Sequence, residues 1–329
     1  MSKYFVTAIG NAIIDILALV DDEFLTANSL SKSSMSLINQ DRVANLINLK
    51  YEKIVSGGSA ANTVVAMANF GVKTAFIGNV GDGRYGDMFH EGLSSHNVDF
   101  YCKNKTKAGT TARSFVLITP DKERTMCTYL GEASNIANEI DEEVIADSEI
   151  LYLEGYLWDQ ASTITALKKA IKIARENDTK VAFTLSDSFC VDRHKEDFLE
   201  LVNKIDILFA NEEEIKTLTS SEKIELEKLK HLARKNENLI IAITRSAKDA
   251  VIFDNSKHEF HKVPTIKADN IQDVTGAGDA FAAGFLYGLY HKLSLKESAK
   301  TGHLFASNII QNIGARFEEN KIAQIKQAL

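Results

Sequence analysis

Two glycines one residue apart, with an acid directly behind them, stand in Asp273-Val274-Thr275-Gly276-Ala277-Gly278-Asp279. Ala280-Phe281-Ala282-Ala283-Gly284-Phe285-Leu286 continues as a buried helix. Glycine reaches backbone conformations closed to other residues, so the amides of Gly276, Ala277 and Gly278 can turn toward one point. A helix starting there adds unpaired N–H groups and the positive end of its dipole, which together make an anion site. A carboxylate at the rim of such a site competes with a phosphate unless its task is to take a proton beside one. Asp279 therefore reads as a base at a phosphoryl-transfer centre, against the commoner alternative of a glycine turn capped by an acid. A second glycine segment, Gly57-Gly58-Ser59-Ala60-Ala61-Asn62-Thr63, opens another helix closed by Gly71 and shifts the balance toward chemistry. Its small residues admit a ligand close to the backbone. Asn62 offers both donor and acceptor, and Ser59 suits an N-cap.

Other polar residues stand where burial makes them expensive. Asp15, in Gly10-Asn11-Ala12-Ile13-Ile14-Asp15, interrupts an apolar run and needs hydrogen bonds if it is inside. It is either an edge-strand acid facing solvent or, with Asn11, an acceptor for two adjacent sugar hydroxyls. A site of the second kind rejects deoxy analogues, which leave its polar groups unpaired. Asn211 and Glu214 have the spacing of a capping box. Gly81-Asp82-Gly83-Arg84-Tyr85-Gly86 matches the dinucleotide pattern, but Asp82 and Asp87 bring negative charge to the pyrophosphate position. The acid required about twenty residues on is also missing, because Asp99 comes early and Lys103-Asn104-Lys105 follows. Dehydrogenase chemistry is disfavoured. No Walker-type Gly-x-x-x-x-Gly-Lys occurs, so ATP would have to be held differently.

The elements around these residues alternate. Apolar runs at Tyr4–Ile9, Thr74–Ile77, Ile150–Leu153, Val181–Leu185, Ile207–Phe209, Ile240–Thr244 and Ala250–Phe253 read as strands. Helical stretches such as Ala161–Glu176, Glu222–Asn236, Asp279–Tyr290 and Leu295–Asn312 lie among or after them. Unbroken apolar strands alternating with helices predict an α/β sandwich, a sheet covered on both faces. Met35–Ile38 and Thr110–Leu130 break the rhythm with short strands joined by a turn at Thr119-Pro120-Asp121-Lys122-Glu123-Arg124, and predict a small separate β-sheet. At 329 residues the chain can bury a large core. A net charge of −7 with no basic run argues against nucleic acid or anionic membranes as partners. Three scattered cysteines give no zinc framework and suit a reducing compartment. His258 and His261 read as a solvated hairpin and not a metal pair. Without a signal-peptide pattern or a membrane-length apolar run, the expected location is cytoplasmic.

The two glycine motifs together resemble the PfkB (ribokinase-like) family of carbohydrate and nucleoside kinases, from about Ala8 to Phe317. Gly10–Ile16, Val20–Leu25, Leu185–Phe189, Val202–Glu212, Gly302-His303 and Ile313-Gly314-Ala315-Arg316-Phe317 are similar to its adenosine-kinase branch. The resemblance implies a single ribokinase-like chain, a layered α/β/α sandwich. Residues 12–55 and 106–131 would form a β-sheet lid, and residues 205–320 a nucleotide-binding portion. It implies transfer from Mg·ATP to the ribose 5′-hydroxyl of a nucleoside, adenosine first, and is compatible with a monovalent cation. Inosine, guanosine, ribose or fructose are the sibling acceptors, and a non-catalytic nucleotide-binding protein is the alternative from another class. The implied partners are small molecules only, with no oligomeric state indicated. Asp279 would be the base, with the Gly276–Gly278 amides and the lid residue Arg124 on the transferring phosphate. Asn11, Asp15, Gly57, Gly58, Ser59 and Asn62 would hold the sugar. Tyr156 would stack on the base, with Leu37 and Phe115 as further walls. Asn211, Thr244, Thr275, His303 and Ser307 would face the nucleotide, and Glu214 would organise Mg²⁺ through water. Thr244-Arg245-Ser246 departs from the family's usual Thr-x-Gly.

Overall fold

The computed structural model describes residues 2–103, 109–121 and 123–329. Asn104 and Lys105 of the polar run, the first residues of the expected lid segment 106–131, and Lys122 of the turn lie outside the described residues. The strands begin with β1 (Tyr4–Ile9), β2 (Ile13–Leu19), β3 (Met35–Leu37), β4 (Lys53–Gly57), β5 (Thr74–Ile77), β6 (Val98–Tyr101) and β7 (Ala112–Ile118). They continue with β8 (Arg124–Tyr129), β9 (Ser148–Glu154), β10 (Lys180–Thr184), β11 (Ile207–Asn211), β12 (Ile240–Arg245), β13 (Lys248–Asp254) and β14 (Glu259–Val263).

One sheet has the order β14-β13-β12-β11-β10-β9-β1-β5-β6, parallel except for β13 and β14. Its strands are unbroken apolar runs because helices cover both faces. Ile150, Tyr152 and Ala182 point into one core with Phe281 and Phe285, while Leu151, Leu153, Val181 and Phe183 point into the other with Trp158 and Leu167. This is the expected layered sandwich. The expected helix Ala161–Glu176 is present over those residues. The helix expected over Glu222–Asn236 contracts to Leu226–Ala233, where apolar anchors exist to bury.

The second sheet has the order β3-β8-β7-β2-β4. Its register puts Asp15, Ser114, Thr128 and Leu37 on one face, and Ile14, Ile16, Phe115, Leu117 and Cys127 on the other. The second face belongs to the buried core. The sequence pattern signals β7 and β8, but not β2 or β4. Ile-Ile-Asp-Ile-Leu-Ala-Leu and Lys-Ile-Val-Ser-Gly do not alternate cleanly, because much of β2 is buried on both faces.

Two glycines of the dinucleotide-like motif, Gly81 and Gly86, are explained by packing, and Gly83 by its positive φ of 116°. A Cβ on Gly81 would lie 2.3 Å from the Gly109 carbonyl oxygen, and one on Gly86 would lie 2.2 Å from the Gly81 oxygen. Among the described residues no helix is long and apolar enough to cross a membrane.

Candidate active site

Two helices opened by glycines meet at one carboxylate. The helix Ala277–Tyr290 follows Gly276, whose φ of 77° and 2.5 Å approach to the Ala315 Cβ both require glycine. The helix Ser59–Ala68 follows Gly58, with φ of 93° and space for a Cβ blocked 2.4 Å away by the Asn11 carbonyl oxygen. Ser59 Oγ donates to Asp279 Oδ1 at 2.6 Å, and Asn62 Nδ2 donates to Oδ2 at 2.9 Å. Ser59 is therefore not an N-cap. Gly58 holds that position without a side chain, which frees the Ser59 hydroxyl for the acid.

Burial raises the Asp279 carboxyl above the usual range, and the Ser59 and Asn62 hydrogen bonds and the Arg316 charge oppose it. Asp15 lies nearby and is pushed up to about 7 by burial, against the Arg316 charge. Its carboxylate rests on Gly57, where a Cβ would lie 2.1 Å from Asp15 Oδ2. No donor among the described residues hydrogen-bonds it. Asn62 Oδ1 is buried and also lacks a partner. Asn62 Oδ1 is thus a buried acceptor left unsatisfied among the described residues, and the half-buried Asp15 carboxylate is a second acceptor without a donor among them.

On the anion side, Ala277 N–H donates to the Val274 carbonyl at 3.2 Å and is used within the loop. The predicted amide set is corrected accordingly: Gly276, Gly278 and Asp279 carry the N–H groups with no partner among the described residues. Nothing lies within 4 Å of where a Gly278 Cβ would be, so the space beside it is open. Arg124 crosses from β8 to this loop. Its Nη1 donates to Thr275 Oγ1 at 2.5 Å, and its guanidinium pairs with the buried Asp273. Asp273 also accepts from Thr275 N at 2.8 Å and Gly314 N at 2.6 Å, so the second sheet, the Gly276–Gly278 loop and the C-terminal segment share one polar junction.

The remaining predicted residues divide. Tyr156 is half-buried near Asp187, Glu214 and Asp279, all of which raise its hydroxyl pKa after burial itself, and its OH donates to the Ser186 carbonyl at 3.3 Å. Leu37 is 48% exposed on the Asp15 face of the second sheet. Phe115 is fully buried on the opposite face and cannot wall the same cavity, a consequence of strand alternation. Asn211 and Glu214 form the expected capping box. Glu214 Oε2 accepts from Asn211 N at 2.8 Å and Oε1 from Asn211 Nδ2 at 2.6 Å. Burial pushes Glu214 up to about 7, with Asp187 and Asp279 adding to the rise. Thr244 Oγ1 donates to the Ala210 carbonyl at 3.4 Å. Ser246 has a left-handed φ of 52°, a conformation that glycine adopts at least cost.

His303 Nε2 donates to the Val263 carbonyl at 3.2 Å, and its Nδ1 lies 3.3 Å from Thr265 Oγ1. Both ring nitrogens hold the end of β14, and Ser307 Oγ donates to Leu304 O within its own helix. The His303 ring is thus engaged at both nitrogens, and the Ser307 hydroxyl gives its proton to its own helix; the small residues here allow close helix packing, since a Cβ on Gly302 would lie 2.9 Å from Phe281.

Three residues were not assigned from sequence. Arg316 braces the Gly57-Gly58 segment, donating to Ala61 O at 2.9 Å and Ser56 O at 3.2 Å, and burial lowers its pKa to about 10 while Asp15 and Asp279 support its charge. Asp273 carries the junction just described. Glu154 accepts hydrogen bonds from Asn11 and Ala60. An acid closing an apolar strand is the only local signal for Glu154, and Arg316 gives none.

The model of the pfkB family carbohydrate kinases matches residues 32–322. The adenosine kinase from Sinorhizobium meliloti is 38% identical, covers 100% of both chains and superposes with a TM-score of 0.92. Adenosine kinase 2 from Arabidopsis thaliana is 24% identical over 94% of each chain. A 5-dehydro-2-deoxygluconokinase from Geobacillus kaustophilus (strain HTA426) is 29% identical over 82% of this chain and 83% of its own. The fold is ribokinase-like, and the chain belongs to the PfkB family of kinases, phosphotransferases that act on a hydroxyl acceptor.

Proposed function

We propose that the protein phosphorylates the ribose 5′-hydroxyl of a nucleoside from ATP, with adenosine giving AMP. The observation that carries this is Asp279, gripped by Ser59 and Asn62 from the other glycine segment and flanked by the unpartnered Asp15 carboxylate. Asp15 would accept hydrogen bonds from the ribose 2′- and 3′-hydroxyls, with Asn11, Gly57 and Gly58 shaping the floor and Asn62 Oδ1 taking a further hydroxyl. Asp279 would take the 5′-hydroxyl proton as that oxygen attacks the γ-phosphorus and the bond to the ADP oxygen breaks. The free amides of Gly276, Gly278 and Asp279, with Arg124, would face the charge on the transferring group. Catalysis of this kind is positioning and electrostatics.

Residues 205–320 would supply the ATP side, with Asn211, Thr244 and Thr275 on it, and 12–55 with 106–131 the lid. Mg²⁺ bound with ATP would neutralise phosphate charge. Glu214 fits a role through water and not direct ligation, because both its oxygens are engaged by Asn211 and no cluster of three ligand-type residues occurs among the described residues. The Geobacillus relative supports a second reading, a sugar acceptor. A panel of adenosine, inosine, guanosine, ribose, fructose and 5-dehydro-2-deoxygluconate with Mg·ATP, read by ADP release, separates them. Faster turnover on a free sugar than on any nucleoside would overturn the nucleoside assignment.

A further inference from the structure

Glu154 ends β9 with 1% of its surface exposed, and no cation among the described residues pairs with it. Its Oε1 accepts from Asn11 N and from Asn11 Nδ2, both at 2.9 Å, and its Oε2 accepts from Ala60 N at 2.7 Å. Ala60 lies in the first turn of the helix Ser59–Ala68, where amides lack partners inside the helix and the dipole favours an anion. The cap residue Gly58 has no side chain to serve them. A carboxylate from a strand 94 residues away does so instead. Burying a charge among neutral donors is costly, and an apolar residue would fill the same space.

We propose that Glu154 is a positioning residue that fixes Asn11 and the first turn of the Ser59 helix in the geometry the acceptor site needs. The inference rests on the acceptor site proposed above. Ser59 directly precedes Ala60, so the bond to Ala60 N sets where the Ser59 hydroxyl meets Asp279. With both Asn11 donors committed to Glu154, the Asn11 side chain has one orientation, its oxygen the remaining polar atom. Glutamine at 154 keeps the shape but not the function. It carries one oxygen and one NH₂, and in either flip the NH₂ opposes a donor from Asn11 or Ala60.

Glu154→Gln and Glu154→Ala test this alongside Asn11→Ala and the double variant Glu154→Gln/Asn11→Ala. Acceptor KM and kcat, ATP KM, acceptor Kd by calorimetry without ATP, and Tm are measured on the full chain. Glu154→Gln should weaken acceptor Kd and raise acceptor KM about tenfold or more, with ATP KM unchanged. Glu154→Gln and Asn11→Ala should be non-additive, because they disturb one junction. Wild-type acceptor KM and kcat in Glu154→Gln would overturn the proposal. So would additive effects, or acceptor and ATP KM rising together with a fall in Tm. A wild-type protein that phosphorylates no acceptor would overturn the functional assignment and this inference together, whereas an active wild type with a silent Glu154→Gln overturns this inference alone.

Discussion

Replacing Gly57 by alanine adds one atom beside the Asp15 carboxylate, in the proposed acceptor site. The new Cβ would lie 2.1, 2.4 and 2.7 Å from Asp15 Oδ2, Cγ and Oδ1, where ordinary contact needs about 3.5–4.0 Å. The backbone at Gly57 is not left-handed, so alanine fits the chain. Asp15 has no hydrogen-bond partner to hold it and can swing aside, so the fold should lose no more than about 1 kcal/mol. The carboxylate, however, leaves the position from which it would grip the ribose diol. Each hydroxyl bond to a charged group is worth about 1.5–3 kcal/mol, so losing one should raise acceptor KM about 10- to 150-fold. Steady-state ADP release with adenosine, 2′-deoxyadenosine and 3′-deoxyadenosine is the assay. Wild type should discriminate strongly against the deoxy acceptors, and Gly57→Ala should discriminate weakly while keeping its ATP KM. Wild-type KM and undiminished discrimination in Gly57→Ala would refute the role given to Asp15.

Arg124→Ala leaves Asp273 buried without its cation, since their side chains are 13% and 0% exposed. Removing one partner of a buried pair costs about 3–5 kcal/mol, so Tm should drop by several degrees, and an unchanged melt contradicts the junction. Arg316→Met removes the charge that holds Asp279 down, so the acid limb of the kcat/KM–pH profile should move to higher pH; an unmoved limb contradicts that coupling. Asp15, Glu154 and Glu214 have folded-state values raised to about 7 from 3.8, 4.5 and 4.5. The folded state then binds more protons than the unfolded one across that window. Their contribution to ligand-free stability is present at low pH and is lost as pH rises through about 7. Denaturation at several pH values should show it, with a shallower dependence in Asp15→Asn; an equal slope in that variant would contradict it.

Much of the layered sheet was legible because runs such as Tyr4–Ile9 and Thr74–Ile77 are buried on both faces and read as unbroken apolar strands. The glycine motifs were legible because Gly58 and Gly276 occupy conformations that other residues avoid. Pairing was not. That Ser59 and Asn62 grip Asp279 depends on two helices more than 200 residues apart converging, which no local pattern encodes. Strand β2 of the second sheet hid behind its own acid, and the face on which Phe115 falls follows from register, not composition. His303 shows the same limit: its place between small residues does not reveal that its Nε2 bonds the Val263 carbonyl and its Nδ1 faces Thr265.

Asp279→Asn, assayed with ATP and the best acceptor from the panel, tests the central claim most directly. Loss of a positioned base should lower kcat about 10²- to 10⁴-fold with ATP and acceptor affinities retained. Turnover at the wild-type rate in that variant would contradict the assignment of Asp279 as the proton acceptor.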